Sequence, residues 1–200
     1  MSPCLCDLLD KFDREKFSGR FDINTYRAFS VDEILSKGGL VSKIRNLEPK
    51  VVFLHVGFQD LFWHKLGADD LFNKYKQVVF KVLESSTAKL CLATIIPIPG
   101  YPRLNEEISA FNDQLSSFVS KLRLGQKYQK RLFTSCNDMI DGFITRGIGK
   151  NGIQLFLSEQ GLRKAWLILK YALQRSLDIQ IDRNKIQNQS KYKPKYWANE

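Results

Sequence analysis

Two hundred residues with 44 % hydrophobic content, including 14 Phe, 7 Tyr and 3 Trp, supply one sizeable core and exclude a disordered body. The net charge of +10 comes entirely from the second part: residues 1–120 carry 15 charges of each sign, whereas residues 121–200 carry 16 basic and 6 acidic. The strongest apolar runs, Val51–Val56 and Ala165–Leu169, are far too short to span a bilayer, so a soluble intracellular protein without a membrane partner is expected.

In chain order, Cys6–Phe17 is amphipathic and predicts a helix, and Arg20–Tyr26 alternates like a short strand. Ser30-x-x-Glu33 has the form of a capping box, predicting a helix from there towards Asn46, weakened in the middle by Gly38-Gly39. Lys50–Val56 is β-rich without strict alternation, as a strand covered on both faces should be. A loop is expected over Gly57–Gly67, then a helix carrying Leu71, Tyr75, Val78 and Val82 on one face. Lys89–Ile96 reads as a second buried strand, stopped by Pro97, Pro99, Gly100 and Pro102. Leu104, Ile108, Phe111, Leu115, Phe118 and Leu122 recur at steps of three and four, a helical core stripe.

Arg131–Cys136 is the third strand, followed by an irregular, glycine-rich stretch from Asn137 to Phe156. Ser158 is placed to cap a helix from Glu159 to about Leu177, with Leu162, Trp166, Leu169 and Leu173 inward. Asp178–Glu200 is polar and basic with no apolar stripe. Alternating strands and helices predict a three-layer α/β/α sandwich with a central parallel sheet, whose ligands gather at the carboxyl ends of the strands. The division expected is a domain over 1–178 and a basic carboxy-terminal arm over 179–200.

The four cysteines, Cys4, Cys6, Cys91 and Cys136, offer no second pair at metal-ligand spacing, so reduced and mostly buried thiols are expected, with no metal and no cofactor. The uneven charge points to a polyanionic partner, nucleic acid ahead of an acidic membrane surface, against the plainer reading of a solvated basic tail.

Glu48–Leu61, EPKVVFLHVGFQDL, resembles the third sequence block of SGNH hydrolases, in which a strand runs into a Gly-x-Asn-Asp loop; here that loop is Gly57-Phe58-Gln59-Asp60. Pro97–Pro102 with the Asn105–Phe118 helix resembles the family's next loop and helix, and Leu157–Lys164 resembles the segment after its catalytic Asp-x-x-His. The resemblance spans roughly residues 20–176 and implies an SGNH-hydrolase-like fold of flavodoxin-like topology. In that family a Ser attacks an ester, a His takes its proton and an Asp orients the His. At the matching positions stand Ile153 and Phe156 in one alignment and Asn151 and Gln154 in the other, with Gln59 in place of the oxyanion Asn. The nearest nucleophile block, Cys6-Asp7-Leu8, lacks a Ser. His55 lies within a strand and reads as a packed core residue, and His64 lies in a loop with no nucleophile positioned beside it. The resemblance therefore implies a non-enzymatic chain with no catalytic residues.

The SGNH-like blocks, the missing triad and the basic second half together resemble the OSK domain, the carboxy-terminal domain of insect germ-plasm organisers. That implies binding of germline mRNAs (through their 3′ untranslated regions) and of germ-plasm proteins, in cytoplasmic germ granules at the posterior of the oocyte and embryo. The residues expected to carry RNA are Arg163, Lys170 and Arg175 on the last helix, off its apolar stripe, with Lys37, Lys43 and Arg45 on the Ser30–Asn46 segment. Lys127, Lys130 and Arg131 beside Tyr128, and Lys191, Lys193 and Lys195 among Tyr192, Tyr196 and Trp197, pair bases with aromatics as single-stranded RNA binders do. Two alternatives remain: an SGNH-type esterase with a rearranged site, using His64 as base, and an interaction module for an acidic protein.

Overall fold

The computed structural model describes residues 26, 28, 30–125, 127–135, 144–149, 152–157 and 159–176. The helix Cys6–Phe17, the strand Arg20–Tyr26 apart from Tyr26, and the arm Asp178–Glu200 lie outside them. The elements are α1 (Val31–Lys37), α2 (Gly39–Leu47), β1 (Val51–Leu54), α3 (Phe58–Phe62), α4 (Ala68–Ser85), β2 (Lys89–Ala93), α5 (Pro102–Leu124), β3 (Leu132–Ser135), β4 (Ile144–Gly149), β5 (Gly152–Leu157) and α6 (Glu159–Ser176).

The capping box forms: Ser30 caps α1, its Oγ accepting the Glu33 amide at 3.1 Å. The expected single helix to Asn46 is two, because Gly38 adopts φ 59° and turns the chain between α1 and α2. β1, β2 and β3 form a parallel sheet in that order, with Val51 opposite Lys89 and Leu90 opposite Leu132. On one face Leu54, Leu90, Leu92 and Leu132 join a core with α1, α2, α4 and α5, centred on Leu71, Tyr75, Ile108, Phe111 and Leu115. On the other, Cys91 and Phe133, with Phe53 alongside, pack against Ala172 of α6. The sheet thus lies between helical layers, as the alternation predicted.

Two stretches read as irregular are ordered elements. The Gly57–Gly67 loop contains α3, a five-residue helix. The glycine-rich stretch to Phe156 contains an antiparallel hairpin of β4 and β5, with Gly149 opposite Gly152 at its closed end. Its glycines punctuate a hairpin rather than a loop.

Candidate functional site

The strands, being parallel, give the sheet two chemically different ends. At the carboxyl end, Gly57 follows β1 with φ 110°, and a Cβ there would lie 3.1 Å from Ile95 Cδ1 and 3.2 Å from Leu71 Cδ2. Only glycine fits this turn. It leads into α3, which carries Asp60 into the interior, where both carboxylate oxygens accept the Val31 amide at 3.2 Å. Asp60 of the family-like block therefore tethers the start of α1, and burial raises its pKa against the lowering effect of that hydrogen bond.

The loop after β2 is pinned by two asparagines one heptad apart on α5. Asn112 pairs its amide with the backbone of Ile95 (2.8 and 2.9 Å), and Asn105 does the same with Ile98 (2.8 and 2.9 Å). His55 follows β1, half-buried, and desolvation lowers its pKa to about 4, so it is neutral at physiological pH. His64 is exposed beyond α3. Ile153, Gln154 and Phe156, the positions aligned with the family's Asp and His, lie in β5 of the hairpin; Asn151 lies outside the described residues. Helices α1, α4 and α5 begin at this end; α1 and α4 carry Asp32, Glu33, Asp69 and Asp70 in their first turns, where the helix dipole favours them, and α5 carries Glu106 and Glu107 in its second turn. Glu107 Oε2 accepts the first amide of α4, from Ala68, at 2.7 Å.

The amino end has the opposite character. A basic residue stands at the start of each parallel strand: Lys50 before β1, Lys89 opening β2 and Arg131 before β3. Backbone bonds hold them side by side, Lys89 N to Lys50 O at 3.0 Å and Leu90 N to Arg131 O at 2.6 Å. The Arg131 guanidinium donates to the carbonyls of Leu83, Ser86 and Ala88, closing the end of α4. Lys89 Nζ and the Arg123 guanidinium lie 5.8 and 5.9 Å from the centroid of the Phe133 ring. A crevice of about 360 Å³ opens here between Glu48, Pro49, Lys50, Thr87, Ala88, Lys89 and Ser176.

Of the residues expected to carry RNA, Arg45 and Arg175 reach this end. Arg45 is exposed in the last turn of α2, and Arg175 is exposed beside Ser176 at the end of α6. Lys170 is half-buried about 8 Å further up α6, and the backbone places Arg163 about 18 Å from Arg175. Lys43 is half-buried and engaged in another interaction. Lys37 ends α1, one helix earlier; its side chain and that of Arg163 are not among those described. Lys50 and Lys89 were missed, though the signal was there: a basic residue opens every strand-like run.

No family model and no curated protein matches the sequence. Solved structures do match. A carbohydrate esterase family 3 structure from Talaromyces cellulolyticus superposes with a TM-score of 0.58 at 16 % identity over 76 % of this chain and 70 % of that one. A mutant acetyl esterase with acetate ion gives 0.58 at 17 % identity over the same shares, and a Clostridium thermocellum family 3 carbohydrate esterase gives 0.52 at 21 % over 70 % and 62 %. The fold is SGNH-hydrolase-like. This corrects the expectation of a non-enzymatic chain: the solved structures that share its fold are esterases. The expectation rested on Ile153, Phe156, Asn151 and Gln154 at the aligned Asp and His places, on Gln59 for the oxyanion Asn, on a nucleophile block without Ser and on the placement of His55 and His64. No helix of the described residues is long and apolar enough to cross a membrane.

Proposed function

We propose that the chain binds single-stranded RNA through the cationic amino end of its SGNH-like sheet and the adjoining outer face of α6. The observation that carries this reading is that Lys50 and Lys89 line one crevice, together with Glu48, while Arg45 stands in the last turn of α2 and Arg175 next to the lining residue Ser176, at the end of the sheet opposite the acidic starts of α1 and α4. Phosphates would be drawn to the amino end and repelled from the carboxyl end, so the field orients the polymer as well as attracting it. The net charge of +10 and the likeness of the sequence to the OSK domain of the germ-plasm organiser Oskar support the same reading. On that likeness the RNA is germline mRNA, bound through 3′ untranslated regions within a granule scaffold.

The test is binding of labelled single-stranded RNA over a salt series. Affinity should fall linearly on a log–log plot with a slope of several phosphate contacts. Arg45→Glu with Arg175→Glu should flatten that slope and weaken binding while leaving the thermal midpoint in place; Arg163→Glu with Arg175→Glu tests the α6 side in the same way. No binding at about 50 mM salt sinks the proposal, since even non-specific phosphate contacts register there. Binding to an acidic protein that bulk RNA does not compete away would assign the charge to that partner instead.

A second reading, ester hydrolysis at the carboxyl end, is favoured by the esterase structures that share the fold. It predicts turnover of a short-chain acetyl ester that vanishes on replacing one Ser, one Cys or His64. Turnover unaffected by every such replacement would discard it. The two readings use opposite ends of the sheet and are compatible.

A further inference from the structure

Helix α6 turns Gly161, Ala165, Leu169, Ala172 and Ser176 to the interior. On the opposite side, where solvated polar residues are the rule, stand Leu167 and Tyr171, 47 % and 41 % exposed. They are four residues apart and so adjacent on the helix surface. Their neighbours one turn away are basic: Arg163, Lys164 and Lys170 around Leu167, and Arg175 after Tyr171. From Gln160 to Ser176 the helix has four basic residues and no acidic one.

An exposed aromatic beside an exposed aliphatic, edged by cations on both sides, matches what a single-stranded nucleic acid presents: a flat base with charged phosphates on either side. A duplex would bury its bases and leave such a ridge unused. An acidic protein surface would satisfy the cations but gives no reason for a planar ring between them. We infer that Tyr171 is a stacking platform for one unpaired RNA base, with Leu167 flooring the site and Arg175 and Lys170 holding the flanking phosphates. This rests on the RNA-binding reading and adds to it the residue that reads a base rather than a charge. Because Arg175 precedes Ser176, which lines the amino-end crevice, the RNA would run along α6 onto the sheet's amino end.

The experiment compares the full chain with its Tyr171→Ala and Tyr171→Phe variants on a short oligouridylate and on an abasic oligomer of equal length. Tyr171→Ala should weaken oligouridylate binding roughly tenfold with the salt slope unchanged, because stacking releases no counterions. Tyr171→Phe should retain the parent affinity, and the abasic oligomer should bind all three proteins alike. Photocrosslinking of 5-iodouridine RNA should place the adduct on Tyr171. An unchanged affinity in Tyr171→Ala with the adduct elsewhere overturns the stack while RNA binding stands. Equal losses on both oligomers would show that Tyr171 shapes the surface without touching a base, which overturns it too. A parent chain that binds neither oligomer overturns both readings together.

Discussion

Asp60 has 1 % of its surface exposed and accepts the Val31 amide at 3.2 Å on each oxygen. Burial raises its pKa, so the folded state holds the proton more tightly than the unfolded chain does. Its contribution to stability is then fully present below the ordinary aspartate pKa and is lost as pH rises through the higher folded value. Asp60→Asn keeps an oxygen for Val31 and cannot ionise. Urea midpoints should show this variant at least as stable as the parent at pH 7, with the advantage gone near pH 4. Asp60→Ala, which leaves the amide without an acceptor, should cost about 1–3 kcal/mol at either pH. At this scale the sequence was partly legible. The Gly57-Phe58-Gln59-Asp60 block marked the loop after β1, but the burial of Asp60 and its tether to Val31, 29 residues away, are encoded by no local pattern. His55, read as a packed residue of a strand, lies just beyond β1 and is half-buried.

Among the elements, the joints are more informative than the bodies. Gly38 and Gly57 both have positive φ, yet they differ in surroundings: nothing lies within 4 Å of a Cβ at Gly38, whereas Ile95 and Leu71 crowd one at Gly57. Gly38→Ala should therefore cost only the backbone term, about 1–2 kcal/mol, and Gly57→Ala clearly more, since overpacking adds to it. Chemical denaturation of the two variants ranks them, and a reversed order would show that the β1 turn relaxes. Arg131 has a structural duty, since one guanidinium serves three carbonyls. Arg131→Lys keeps the charge but loses the planar fork. A lower thermal midpoint is expected and, on the proposed function, a nearly unchanged RNA affinity, the reverse of the pattern proposed for Arg45 and Arg175. Long periodic elements such as α4 and α5 were legible because each buries a full stripe. The helix α3 was not, since five residues hold too few turns to show a period, and the β4–β5 hairpin was hidden by glycines that read equally well as loop. Leu167 and Tyr171 were visible as apolar residues off the expected inward stripe, but only the packing of Ala165, Leu169 and Ala172 against the sheet shows that they face out.

For the whole molecule, charge is sorted along one axis because helices flanking a parallel sheet run opposite to its strands. Acids in the first turns of α1 and α4 and bases in the last turns of α2, α5 and α6 each complement a local dipole, and the architecture adds these small preferences together. The feature with the longest reach is the strand order. β1, β2 and β3 are neighbours in space in the order they occur in the chain, and β2, fully buried from Leu90 to Ala93, is hydrogen-bonded on both sides. Amides of Leu90–Ala93 should thus be the last to exchange in deuterated solvent, after those of β1 and well after β4 and β5; early exchange of β2 would disprove a central cooperative unit. The same order bears on synthesis. A ribosome delivers β1 and β2 first, and β2 presents an open edge until Leu132–Ser135 has emerged, so a nascent chain halted between α5 and β3 would display a four-residue apolar edge ready to pair with another copy.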